Sequence, residues 1–249
     1  MAGHSKWHNI KHKKGRQDAK KGKVFHKMTQ EIILAARQGG DPDRNPRLRA
    51  AIDSAKYVNL PKDRIEYAIK KGTGEVGADN IQESVCEGYG PGGAALLVEV
   101  ATDNKNRTVG EIRHLLSKNG GSLGESGCVA WMFDYKGVLS FDKAVYSEDQ
   151  ILEAGLEAGV EDLIDDGQVW QIKCNPEDFS QVKEVFTRAG IEFNEATLTM
   201  VPQTTVEVDT ETGRQLLKLY YALDDMDEVQ NIHANFELPN ELLAELEAQ

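Results

Sequence analysis

The chain has 249 residues, 40% apolar and 28% charged, with 29 Lys and Arg against 41 Asp and Glu for a formal net charge of −12. That balance excludes a disordered protein and suits a globular one long enough for two or three small domains. The longest apolar runs fall well short of the roughly 18 residues a membrane span needs. No apolar leader resembles a secretion signal, so a cytoplasmic protein with no membrane partner is expected.

The charge is unevenly divided. Residues 1–74 hold 18 of the Lys and Arg and 7 of the Asp and Glu, a net +11, against −23 for the rest. It is densest at the start, MAGHSKWHNIKHKKGRQDAKKGKVFHK, where Lys6, Lys11, Lys13, Lys14, Arg16, Lys20, Lys21, Lys23 and Lys27 face a single acid, Asp18. Such a cluster repels itself and contributes little to a fold unless a polyanion neutralises it. Trp7 and Phe25 add aromatic faces, and His4, His8, His12 and His26 add polar groups. Cations mixed with aromatics are the footprint of a phosphate-backbone binder that also stacks on bases. Attraction between the basic head and the acidic body is the competing reading.

An extended arm is expected over residues 1–14. From Arg16 the pattern turns helical, with Val24, Phe25, Met28, Ile32, Ala35 and Ala36 at three- and four-residue steps and Gly39-Gly40 as the stop. Asn45-Pro46 reads as an N-cap followed by proline at the first helical position, with Leu48, Ala51, Ile52 and Ala55 as the buried stripe. A third helix restarts after Asn59-Leu60-Pro61 and ends at Gly72. The outer faces carry Arg37, Arg44, Arg47, Arg49, Lys56, Lys62, Arg64, Lys70 and Lys71, so positive charge continues beyond the arm.

After a linker at 72–82 the composition changes. Strands are predicted at Ser84–Tyr89 and Ala94–Thr102 around GYGPGG, then a helix over Asn106–Asn119, the glycine-rich turn GGSLGESG and a strand at Cys128–Phe133. From Gly137 a strand, helix, strand, strand, helix, strand order follows, ending at Val201, which is a ferredoxin-like unit. A strand at Thr204–Val208, a helix at Thr210–Leu223, a strand at Val229–Ala234 and a helix at Pro239–Leu246 complete the unit opened before residue 135. The expected architecture is a multidomain α+β protein. A basic helical domain (1–77) precedes a split α/β domain (78–134 and 204–249), with a ferredoxin-like α/β domain (135–203) inserted into the latter.

Chemistry-bearing patterns are sparse. His4, His8 and His12 would align on a helix, but no acid or cysteine ligand lies near and the cationic surroundings oppose a dication, so no metal is expected. GYGPGG lacks the GK[ST] ending and opens no helix, which leaves an inter-strand turn and no nucleotide cofactor. Arg107, in DNKNRT ahead of a helix, is a candidate second phosphate contact. Cys86, Cys128 and Cys174 stand in no CxxC pairing, so reduced thiols are expected. No nucleophile, base or acid pair stands out, and neither enzymatic activity nor a catalytic residue is expected. The nucleic-acid-binding set is therefore Lys6, Trp7, Lys11, His12, Lys13, Lys14, Arg16, Lys20, Lys21, Lys23, Lys27, Arg47, Arg49 and Arg107.

Five stretches carry a family resemblance: MAGHSKWHNIKHKKGRQDAKKGKVF, GGDPDRNPRLRAAIDSAK, EGYGPGGAALLVE, DNKNRTVGEIRH and GGSLGESGCVAWMF. Together they resemble the YebC family across nearly the whole chain. Members often have an alanine or asparagine region after Trp7 and an arginine within the KHKK run, where this chain has His8 and Lys13. The charge is kept, while lysine for arginine weakens any bidentate reading of bases. The resemblance implies a helical N-terminal domain, two α/β domains and a non-enzymatic, nucleic-acid-associated role. Members are described as DNA-binding transcriptional regulators or as translation factors on the ribosome, the mitochondrial relatives being of the second kind.

The expected function is thus a nucleic-acid-binding regulator of gene expression, first a DNA-binding transcriptional regulator. The alternative is a ribosome-associated factor that binds ribosomal RNA and assists elongation through difficult, for example proline-rich, sequences. The single arginine of the arm and the want of a base-reading helix favour that alternative. A protein–protein regulator whose basic head docks on an acidic partner is the third reading. The oligomeric state is left open.

Overall fold

The computed structural model describes residues 18–77, 80–156 and 158–247, with side chains from residue 22 to residue 246. It opens with helix α1 (Asp18–Ala36), whose C-terminal half buries Ile32, Ile33, Leu34, Ala35 and Ala36. Helices α2 (Pro46–Tyr57) and α3 (Lys62–Gly72) pack on it, and Leu48, Ala51, Ile52, Ala55, Leu60, Ile65 and Ala68 close a small core. Asn45 joins the first two helices. Its Oδ1 accepts the Leu48 N–H at 3.0 Å as the N-cap of α2. Its Nδ2 donates to the Ala35 and Gly39 carbonyls at 2.7 and 2.8 Å, at the end of α1 and in the turn after it.

The end of α2 is equally determined. Asn59 adopts a left-handed conformation (φ 60°), which asparagine tolerates, while Leu60 N–H reaches the Ala55 carbonyl at 2.8 Å and Asn59 N–H the Lys56 carbonyl at 2.9 Å. This Schellman closure turns the chain sharply into α3 and leaves Tyr57 on the last helical turn, pointing to solvent. At the far end of α3, a Cβ on Gly72 would lie 2.3 Å from the Ile33 carbonyl oxygen, so glycine is what lets α3 touch α1.

The larger body has two four-stranded antiparallel sheets. The first contains β1 (Gln82–Tyr89), β2 (Ala95–Thr102), β3 (Ser122–Leu123) and, from far along the chain, β9 (Val229–Ala234), in the order β3-β1-β2-β9. GYGPGG is the turn of its first hairpin, with Gly92 and Gly93 at positive φ. Leu96, Val98 and Val100 face a core built with α4 (Lys105–Lys118), α7 (Thr210–Asp224) and α8 (Asn240–Glu247). Ala95 and Leu97 alternate onto the opposite face and pack with Val129, Phe133 and Met200. The sheet therefore lies between its own helices and the second sheet.

That second sheet holds β4 (Phe133–Asp142), β5 (Val160–Asp166), β6 (Val169–Cys174) and β7 (Glu195–Pro202), with α5 (Glu148–Gly155) and α6 (Phe179–Arg188). The order β5-β6-β4-β7 is that of a ferredoxin-like fold. Leu139, Phe141, Ile151, Ile172, Val182 and Phe186 fill its core, with the two phenyl rings 4.7 Å apart. Each such buried side chain stabilises by about 1.5–3 kcal/mol.

Three sequence expectations are corrected. The strand predicted at Cys128–Phe133 is a 3-10 turn at Ala130–Met132 followed by the start of β4, which runs unbroken into the ferredoxin-like unit. The cause is Glu87 of β1. Its carboxylate accepts the N–H groups of Gly127, Val129 and Ala130 at 2.6, 2.9 and 2.8 Å, which removes those donors from any ladder. The stretch GGSLGESG is not wholly turn, since Ser122–Leu123 pairs with β1. The strand predicted at Thr204–Val208 shortens to β8 (Val206–Glu207), which pairs in parallel with β10 (Phe236–Glu237) and stays out of the large sheet. Buried Asn235 holds it there, its N–H and side-chain Oδ1 bonded to Ala95 and its carbonyl to Val206 N–H.

Candidate nucleic-acid interface

The arm residues Lys6, Trp7, Lys11, His12, Lys13, Lys14 and Arg16 lie outside the described residues, as do His4 and His8. Lys20 and Lys21 fall within α1, with their side chains outside the description. The other five predicted contacts can be placed, and each meets carboxylates.

Lys23 and Lys27 stand one turn apart on α1 and face the end of α7. Lys23 Nζ reaches Asp225 at 3.1 Å and Lys27 Nζ reaches Asp224 at 3.0 Å. The Lys27 side chain is only 14% exposed, so it cannot neutralise an outside phosphate without leaving the body. On the next turn, Gln230 of β9 donates to Gln30 of α1. Arg47, at the start of α2, lies between Glu31 of α1 (3.0 Å) and Glu83 of β1 (2.5 Å). The hydrogen bond to Glu83 raises its already high pKa; burial opposes this, and Glu31 adds to it. Arg49 donates to the Pro42 carbonyl and to Asp43 at 3.1 and 3.3 Å.

Arg107 sits in the first turn of α4, reaching Asp103 at 3.2 Å and Glu228 at 2.9 Å. Asn104 caps that helix by accepting Arg107 N–H at 3.1 Å, while buried Thr108 bonds Thr102 at 2.8 Å. The positive end of α4 is thus already surrounded by acids.

A different set of head cations remains open. On α3, Ile65 and Ala68 face the core, and Arg64, Tyr67 and Lys70 point outwards. Neither Arg64 nor Lys70 has a carboxylate within ion-pair distance among the described residues, while Lys62 pairs with Glu66 at 3.7 Å. Tyr67 is 54% exposed and Tyr57 83%. Sequence reading had noted the cations and missed the tyrosines. Spacing was the available signal: an aromatic at 67 with cations three residues to either side shares one helical face.

The acidic side offers little for catalysis. Burial raises the pKa values of Cys86 and Cys128 and pushes Cys174 up to about 11, so none is an activated thiolate. His233 of β9 lies 3.3 Å from Glu99 and 3.4 Å from the Thr199 hydroxyl of β7, a contact that ties the two sheets together. The hydrogen bond from His233 lowers the Glu99 pKa against the opposing effect of burial, helped by one from Asn231. Among the described residues no group of three His, Cys, Asp or Glu could hold a metal ion, and no helix is long and apolar enough to cross a membrane.

Comparison with known proteins places the chain. The "TACO1/YebC protein N-terminal domain" matches residues 5–75, and the "TACO1/YebC second and third domain" matches residues 81–236. The chain belongs to the TACO1/YebC family. A relative from Maridesulfovibrio salexigens is 59% identical over 99% of this chain and 100% of its own length. Another, from Solidesulfovibrio magneticus, is 56% identical over 97% of this chain and 99% of its own. Both are named "Probable transcriptional regulatory protein". The crystal structure of a conserved hypothetical protein from Aquifex aeolicus superposes with a TM-score of 0.82 at 43% identity, covering 92% of this chain and 97% of that one. The mixed helix-and-sheet architecture with a helical N-terminal part is thus a fold of the TACO1/YebC family.

Proposed function

We propose that this TACO1/YebC member is a non-enzymatic, cytoplasmic regulator of gene expression that works by binding nucleic acid, as a transcriptional regulator in keeping with its relatives' names. One observation carries the reading: the first 27 residues hold nine cations and one acid in a chain of net charge −12. The arm, with Lys6, Trp7, Lys11, His12, Lys13, Lys14 and Arg16 and continuing to Lys20 and Lys21, grips the phosphate backbone. Lys23, Lys27, Arg47, Arg49 and Arg107 hold the protein's own acids; the first four fix the helices that carry the arm, and Arg107 fixes the start of α4 in the body. The three units (1–77; 78–134 with 204–249; 135–203) divide the work: the head binds, and the acidic remainder stays clear of the polyanion and meets protein partners.

A second reading, a ribosome-associated translation factor, is favoured by the arm's composition. Lysine and histidine with one arginine suit backbone and shape recognition better than bidentate reading of DNA bases. Cosedimentation with ribosomes over a salt titration, beside duplex DNA at matched phosphate concentration, separates the two. Retention on ribosomes at salt that strips the DNA supports the translation role. Tighter retention of one DNA sequence than of random DNA supports the transcriptional one. Weak binding of every nucleic acid, without a steep salt dependence, would overturn both.

A further inference from the structure

We propose that the outward face of α3 is a stacking platform for an unpaired base, so that single-stranded nucleic acid runs across the helical head with its phosphates at Arg64 and Lys70. The inference rests on the nucleic-acid reading above and extends it to a site away from the arm. Positions 64, 67 and 70 follow one another at three-residue steps, which places their side chains about 5–6 Å apart along one face. Arg64 and Lys70 stand about 9 Å apart along the axis, on either side of the Tyr67 ring.

Three observations distinguish this face from ordinary surface. Arg44, Arg47, Arg49, Arg107, Arg188 and Arg214 each reach a carboxylate, whereas Arg64, like Arg113 of α4 but unlike it with an exposed ring one turn away, reaches none among the described residues. Tyr67 is 54% exposed, and among the described residues it neither stacks on another ring nor lies under a cation. On α3 the acids within one turn of it are Asp63 and Glu66, and Glu66 is engaged by Lys62. An amphipathic ring flanked by two open cations matches a nucleotide: the base has a face for the ring and the phosphates have charges for the cations. A paired base is stacked within its helix and offers no such face, so the site selects unpaired strands.

Tyr57 supplies an internal control. It is more exposed than Tyr67, but the cation beside it, Lys56, is paired with Asp53 at 3.5 Å.

The test is fluorescence anisotropy with labelled oligouridylate, oligodeoxythymidylate of equal length and duplex DNA of equal phosphate number. The proteins are the full chain, Tyr67→Ala, Tyr67→Phe, Tyr57→Ala and an arm variant with Lys11, Lys13, Lys14 and Arg16 changed to Ala. Tyr67→Ala is expected to weaken single-strand binding at least about fivefold, the low end of a base–aromatic stack. Duplex binding should stay unchanged, and Tyr67→Phe, which keeps the ring, should behave as the parent. Equal losses with oligouridylate and oligodeoxythymidylate are the expected result for stacking; a loss with one alone means the sugar is read at this face, and overturns a purely stacking platform. Parental single-strand binding by Tyr67→Ala, beside loss of binding in the arm variant, would overturn the platform and leave the arm's role standing. Equal losses in Tyr57→Ala and Tyr67→Ala, or equal losses on single strand and duplex, would also overturn it. Failure of the parent protein to bind any probe would remove the nucleic-acid reading itself.

Discussion

The inner and outer faces of the helical head carry similar charges to opposite ends. On the inner face, Lys23, Lys27 and Arg47 meet Asp225, Asp224 and Glu83, acids contributed by the sheet-bearing body. On the outer face, Arg64 and Lys70 of α3 meet no carboxylate among the described residues and flank an exposed tyrosine. The difference shows that charge density counts cations without saying which remain available. The inner face orients the head on an acidic body, and the proposed function assigns the outer face and the arm to a polyanion outside it. Self-attraction, one of two rival readings of the sequence, accounts for Lys23, Lys27 and Arg47, and the proposal of polyanion binding rests on the others.

The comparison can be broken most forcefully at the arm. Changing Lys11, Lys13, Lys14 and Arg16 to Ala should abolish polyanion binding at moderate salt and make the log–log salt slope shallower by about 4, one unit per phosphate contact. Circular dichroism and thermal unfolding should match the parent, because the four positions precede α1 and the core that its C-terminal half builds.

The next effect is on the scaffold that keeps the two faces apart. Asn45→Ala removes the α2 cap and the hydrogen bonds that its amide gives to the Ala35 and Gly39 carbonyls. A stability loss of about 2–3 kcal/mol is expected in urea unfolding. A loss below about 0.5 kcal/mol would show that the cap is not what joins α1 to α2.

Glu87 sharpens the contrast from the body's side, as an acid held by backbone donors instead of by a head cation. Burial alone would raise its pKa; the N–H groups of Gly127, Val129 and Ala130 outweigh burial and leave the pKa below the ordinary carboxylate value. A depressed folded-state pKa stabilises above the unfolded value of about 4.3 and is lost as pH falls through the folded one. Glu87→Gln should therefore cost about 1–3 kcal/mol at neutral pH and flatten the acid limb of the stability profile. Undiminished acid sensitivity in that variant would assign the limb to other carboxylates.

The smallest effect belongs to the individual ion pairs. A double-mutant cycle on Lys23 and Asp225, a pair whose acid is largely exposed, should give a coupling of about 0.2–1 kcal/mol, fading with added salt. A larger, salt-insensitive value would mean that the pair closes away from water.

What the sequence made legible follows from how local each determinant is. The Asn45-Pro46 start and the strand Val229–Ala234 are encoded within a few residues, by a cap and by spaced apolar residues, and each is found where it was read. The turn at Ala130–Met132 depends on Glu87, some forty positions away, and β8 depends on Asn235 and β10, so no local pattern reports them. The candidate site divides in the same way. The positive charge of the head is written in the composition, but the partners of Lys23 and Lys27 lie 202 and 197 positions along the chain. Tyr67 was legible in principle, as an aromatic between two cations at helical spacing, once α3 is known to turn that side outward.

The most direct test of this division is the salt dependence of nucleic-acid binding by the double variant Lys23→Ala, Lys27→Ala, measured beside the parent and the arm variant. If those two lysines serve the protein's own acids, the slope stays within about one unit of the parent's while the arm variant loses about four. A slope shallower by about two in the lysine variant would show both in contact with phosphate and would contradict the account.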